Sequence, residues 1–90
     1  MIKYTKAAEI AMNSLHPLDK ERTESLISRL EKNPKLAENA TFLTSSRQTR
    51  ILPISTELVL LIERQGETIT IQDVTTSRRL ESVDSQATAT

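Results

Sequence analysis

The stretch Glu57-Leu58-Val59-Leu60-Leu61-Ile62-Glu63-Arg64-Gln65-Gly66-Glu67-Thr68-Ile69-Thr70-Ile71-Gln72-Asp73-Val74 decides the fold. Its first half, Glu57 to Arg64, is apolar at successive positions through the middle, which suits a strand buried on both faces at the centre of a sheet. Gln65-Gly66 supplies the turn, and Gly66 is the only glycine of the chain. The second half, Thr68 to Val74, alternates: Ile69 and Ile71 share one face, and Thr68, Thr70 and Gln72 the other. Two such runs joined by a glycine turn read as an antiparallel hairpin.

Upstream of the hairpin, Thr41-Phe42-Leu43-Thr44 reads as a short strand, Ser45-Ser46-Arg47-Gln48 as a turn and Arg50-Ile51-Leu52-Pro53-Ile54 as a second strand. Proline cannot donate to a ladder, so Pro53 requires either a bulge or a position facing an unpaired side. Before Ala40 the period changes. Residues 1–4 suit a short strand, and Thr5 is placed to cap a helix in which Ala8, Ala11, Met12 and Leu15 follow helical spacing. His16-Pro17 breaks that helix, because proline disfavours helical geometry in the preceding residue yet suits the first turn of a new helix. Leu18, Arg22, Leu26, Ile27 and Leu30 mark the second stripe, and Asn33-Pro34 stops it. The expected fold is α+β: a short N-terminal strand and an antiparallel helical hairpin packed on a C-terminal antiparallel sheet. The domain is expected to span residues 1–81, with residues 82–90, small and polar, as a disordered tail.

Ninety residues support a single hydrophobic core. Only Tyr4 and Phe42 are aromatic, so that core must be aliphatic. The absence of cysteine excludes disulfides, thiolate metal sites and cysteine nucleophiles, and suits a reducing cytoplasm. The longest apolar run, Leu58 to Ile62, is far below the roughly 20 residues of a membrane span, so no membrane association is expected and the chain is placed in the cytoplasm. His16 as the only histidine excludes a serine triad and any metal site needing two imidazoles; in a helix–helix turn it is expected to cap or to face solvent. A single glycine excludes phosphate-binding glycine loops. Carboxylates such as Glu21 and Glu24 suit a solvated helix face. No cofactor and no metal are expected.

Twelve basic and twelve acidic residues give a formal net charge of +0, which argues against non-specific attraction to nucleic acid over the whole surface. The distribution is uneven: from position 41 onward every basic residue is an arginine, namely Arg47, Arg50, Arg64, Arg78 and Arg79. Arginine matches phosphate geometry in a way lysine does not, although strand-end arginines also serve solubility alone. Arg47, Arg50, Arg78 and Arg79 are the candidate binding residues. If the strand ends carrying them are neighbours, Arg50, Arg78 and Arg79 form a cationic site able to stabilise charge in phosphoryl transfer or to grip an acidic peptide.

The order of elements and several local phrases resemble the RelE/ParE toxin superfamily of bacterial toxin-antitoxin systems. Tyr4-Thr5-Lys6-Ala7-Ala8 is similar to that family's strand followed by a capped helix, and Leu18-Asp19-Lys20-Glu21-Arg22 through Leu30-Glu31-Lys32-Asn33-Pro34 to its second helix. Arg50-Ile51-Leu52 with Leu58-Val59-Leu60-Leu61 resembles its central strands, and Val74 through Arg78-Arg79 its last strand and trailing basic pair. The resemblance implies a cytosolic protein with a small antitoxin as partner. For the ribonuclease members it implies metal-free cleavage of messenger RNA in the ribosome, with Arg50, Arg78 and Arg79 as the catalytic set.

Three positions depart from the nuclease pattern. Glu57 stands where an arginine often begins the central strand, Leu80-Glu81-Ser82 follows the basic pair without tyrosine or histidine, and Thr75 replaces a glycine. A carboxylate opposes phosphate, and a missing aromatic or imidazole removes a participant in 2′-hydroxyl activation. The expected function is therefore protein binding, to an antitoxin, to a target such as gyrase or to a second copy in a homodimer. The alternatives are a ribosome-dependent endoribonuclease and a domesticated, inactive relative serving a larger complex.

Overall fold

The computed structural model describes residues 1–43 and 46–79, apart from the side chains of Asn39, Leu43, Ser46 and Arg47. The chain forms β1 (Ile2–Tyr4), α1 (Lys6–Asn13), α2 (Pro17–Lys32), a 3-10 segment (Pro34–Asn39), β2 (Thr41–Leu43), β3 (Ser46–Pro53), β4 (Leu58–Gln65) and β5 (Thr68–Thr76). The five strands make one sheet in the order β1-β5-β4-β3-β2. The expected hairpin is its centre: β4 and β5 run antiparallel from Leu58↔Thr76 to Gln65↔Thr68 around Gly66, whose φ of 63° is the left-handed geometry glycine adopts without strain. β2, β3 and β4 continue the antiparallel ladder, and β1 adds to β5 as a parallel edge with Ile2 opposite Ile69. The antiparallel sheet expected of the C-terminal half thus becomes mixed through the N-terminal strand.

Local sequence explains most boundaries. Thr5 caps α1 by accepting from the Ala8 N–H at 3.1 Å, and the same hydroxyl donates to the Gln72 carbonyl at 2.7 Å. One side chain therefore starts the helix and fastens it to the bulged part of β5. Thr5→Ala is expected to lower stability by about 1–2 kcal/mol, and Thr5→Ser to keep most of it. Equal urea midpoints for Thr5→Ala and the native chain would show that the cap is dispensable. His16 caps α2, its Nδ1 accepting from the Leu18 N–H at 3.3 Å, with Pro17 in the first turn. Pro53 ends β3 opposite Val59. Because the Ile54 N–H donates to the Leu58 carbonyl, the alternate position, Pro53, faces away from β4, beyond the end of β2, where a missing donor costs nothing.

The core lies between the helices and one sheet face. Leu58, Leu60 and Ile62 of β4 and Ile69, Ile71 and Val74 of β5 pack with Ala8, Met12, Ile27, Leu30 and Ala37. Strict alternation after Ile69 and Ile71 would carry Asp73 inward. A bulge at Gln72, between the pairs Ile62↔Ile71 and Leu61↔Asp73, adds one residue and brings Val74 inward instead.

Two further details differ from the sequence reading. Residues 46–48 belong to β3 rather than to a turn. The buried stripe of α2 is Thr23, Ile27 and Leu30, while Leu18 is 52% exposed and Arg22 faces solvent. Thr23 takes the place a leucine would fill because its hydroxyl donates to the Asp19 carbonyl at 2.8 Å and needs no other partner. The expected tail, residues 82–90, lies outside the described residues.

Candidate functional site

The arginines singled out by the sequence fall into two groups. Arg50 is opposite Ile62 in the register, so it points to the helix side of the sheet. Its Nη1 donates to the Ala37 carbonyl at 2.8 Å, and its guanidinium lies 4.6 Å from the centroid of the Phe42 ring. Arg64 acts alongside it: Nε donates to the Gly66 carbonyl and Nη1 to Glu38 Oε1, each at 2.8 Å. Both guanidinium groups thus reach the 3-10 segment, one holding its buried backbone and the other its surface. The Arg64–Glu38 pair is the only ion pair among the described residues.

Arg78 and Arg79 lie elsewhere. They follow Thr76, the partner of Leu58, whereas Arg50 partners Ile62 four residues further along β4. At ~3.3 Å per residue and ~4.8 Å per strand, that is about 13 Å along the sheet and about 10 Å across it. The convergence of Arg50 with Arg78 and Arg79 required neighbouring strand ends, and the register separates them. Arg47 lies on β3 with its side chain outside the described part.

At the end of β5, Thr76 Oγ1 accepts from the Arg79 N–H at 3.1 Å and begins a helical turn over residues 77–79. The Ser77 N–H donates to the Glu57 carbonyl at 2.8 Å, and its hydroxyl to the Thr56 carbonyl at 3.3 Å. Both arginines are exposed, and Arg78 shares an open hollow of about 450 Å³ with Thr56 and Glu57. The Glu57 carboxyl group lines the same hollow as Arg78, and no ion pair among the described residues joins the two.

On the sheet face turned away from the helices, Thr49 Oγ1 donates to Gln72 Oε1 at 2.9 Å, and Gln72 Nε2 donates to Glu63 Oε2 at 2.9 Å. Gln65 Nε2 donates to Glu63 Oε1 at 3.3 Å. Strand alternation places Gln72 on this face with Thr68 and Thr70, and β3 and β4 supply its partners Thr49 and Glu63. Its charged member is a carboxylate, a poor seat for phosphate. Tyr4 has its phenol pushed above the usual range, first by burial and then by the carboxylates of Glu24 and Glu31. It stays protonated at neutral pH and offers no general base there. No three His, Asp or Glu side chains among the described residues are grouped to hold a metal, and no helix among them is long and apolar enough to cross a membrane.

The sequence matches no protein-family model and no curated protein. Solved structures do match. The chain is similar to YafQ from E. coli strain BL21(DE3), with a TM-score of 0.72 at 15% identity over 89% of this chain and 96% of YafQ. It is similar to the isolated E. coli RelE toxin, with a TM-score of 0.67 at 12% identity over 96% of this chain and 97% of RelE. The E. coli DinJ–YafQ complex also matches, with a TM-score of 0.66 at 14% identity over 89% and 96%. At these identities the likeness establishes architecture: the protein is an α+β domain with the layout of these structures. The fold is that of RelE and YafQ, as the sequence resemblance implied.

Proposed function

We infer that the protein works by binding another protein, as a RelE/ParE-like member whose partner is an antitoxin or a cellular target. The observation that carries this reading is the engagement of Arg50. Arg50, the strand arginine that the sequence would join to the terminal pair in a phosphate site, is turned to the helix side, holding the Ala37 carbonyl and the Phe42 ring. What remains at the end of β5 is Arg78, which shares a hollow with Glu57, and the exposed Arg79. The YafQ structure solved with DinJ shows that a chain of this fold accommodates a protein partner.

The test is co-purification of the tagged protein from its native host. Recovery of one small protein in stoichiometric amount is the expected outcome; recovery of ribosomes alone would overturn the binding reading. The exposed pair Arg78 and Arg79 favours a second reading, a ribosome-dependent endoribonuclease in the cytoplasm. In that case Arg78→Ala/Arg79→Ala would reduce cleavage of ribosome-bound messenger RNA by about 10²-fold or more, the scale of losing charge stabilisation at a transition state. Our expectation is that the native chain cleaves no more than this double variant.

A further inference from the structure

Leu18 and Arg22, which the sequence periodicity placed in the α2 stripe and the structure leaves outside the core, belong to a surface of their own. Leu18, Arg22, Ser25 and Arg29 lie at helical spacings of four, three and four, so they share one stripe of α2. That stripe is about 16 Å long at 1.5 Å per residue. It faces Pro53 and Ile54 across an open groove of about 540 Å³ whose floor includes the half-buried Leu26. Leu18 is 52% exposed, so its apolar side chain is presented to solvent beside the groove. Arg22 and Arg29 are exposed and make no hydrogen bond or ion pair among the described residues, in contrast to Arg50 and Arg64. Glu21 also lines the groove, leaving an excess of one positive charge.

We propose that this groove between α2 and the β3–β4 connection binds an acidic, leucine-type amphipathic segment of a partner protein. The proposal rests on the protein-binding reading above and specifies its surface. The apolar floor of Leu26, Pro53 and Ile54, with Leu18 at one end, receives apolar anchors. Arg22 and Arg29, two helical turns apart, are spaced to meet carboxylates about 10 Å apart on the incoming segment. Charge complementarity of this kind sets partner choice and association rate, while the apolar floor holds the bound segment.

The experiment is fluorescence anisotropy with two labelled peptides, one alternating leucine and glutamate and one in which lysine replaces glutamate. The native chain should bind the glutamate peptide. Arg22→Glu/Arg29→Glu should weaken that binding by at least about tenfold and bind the lysine peptide instead. Lys32→Glu/Lys35→Glu, which changes net charge equally outside the groove, should leave both unchanged. Leu18→Ser, at an exposed position, should weaken binding with an unchanged circular dichroism spectrum. Equal binding of the glutamate peptide by the native chain and the Arg22/Arg29 variant overturns the proposal, as does equal loss in the Lys32/Lys35 variant. A native dimer dissociated by the Arg22/Arg29 changes assigns the groove to a second copy and also overturns it. A co-purified partner that binds the Arg22/Arg29 variant as tightly as the native chain removes the groove while leaving the protein-binding reading intact.

Discussion

Leu60→Ala is expected to lower the free energy of unfolding by about 2–5 kcal/mol, the range for truncating a buried leucine where surrounding atoms relax only in part. Leu60 is fully buried on the central strand, opposite Val74 on one side and Leu52 on the other. A domain of this size has roughly 4–13 kcal/mol in total at ~0.05–0.15 kcal/mol per residue, so the substitution removes a large share of it. With two aromatic residues in the chain, neither of them in the core cluster, no ring is available to fill the cavity. Urea unfolding followed by circular dichroism reads the effect. A loss below about 1 kcal/mol would show that the core between β4 and the helices collapses onto the space, contrary to close packing.

Arg50→Ala is expected to cost about 1–3 kcal/mol, because it removes the charged donor to the carbonyl of the fully buried Ala37, which keeps only the Ala40 N–H at 3.2 Å. Loss of the stacking on Phe42 adds about 0.5–1 kcal/mol. Arg64→Ala, which breaks an exposed pair with Glu38, should cost less than about 1 kcal/mol. The comparison separates two roles for Arg50. A structural arginine shifts the urea midpoint when removed, whereas an arginine serving only a phosphate ligand leaves stability unchanged or raises it. An unchanged midpoint would return Arg50 to the candidate phosphate site with Arg78 and Arg79.

The same residues show where sequence reading reaches its limit. Glycine-rich phosphate loops, histidine-based triads and thiolate sites were excluded by counting, and counting needs no structure. The candidate arginines were identified by type, and type alone left phosphate binding and solubility as competing roles. What divides Arg50 from Arg78 is position in a ladder: one is opposite Ile62 and the other lies just beyond the partner of Leu58. The Thr49–Gln72–Glu63 network was likewise invisible, because it joins side chains of three strands whose register the local pattern does not set.

The hairpin of β4 and β5 was determined by the sequence itself, since burial on two faces, alternation and a lone glycine turn are local properties of consecutive residues. The breaks at Pro17 and Pro34, the caps at Thr5 and His16 and the single aliphatic core were legible for the same reason. The tertiary structure alone decided that β1 joins β5 in parallel, that Thr23 rather than Leu18 faces the core, that Val74 replaces Asp73 inside, and that Arg50 holds the 3-10 segment. Each of these depends on which distant backbone lies opposite a given residue. A one-residue bulge changes that facing without changing the local pattern.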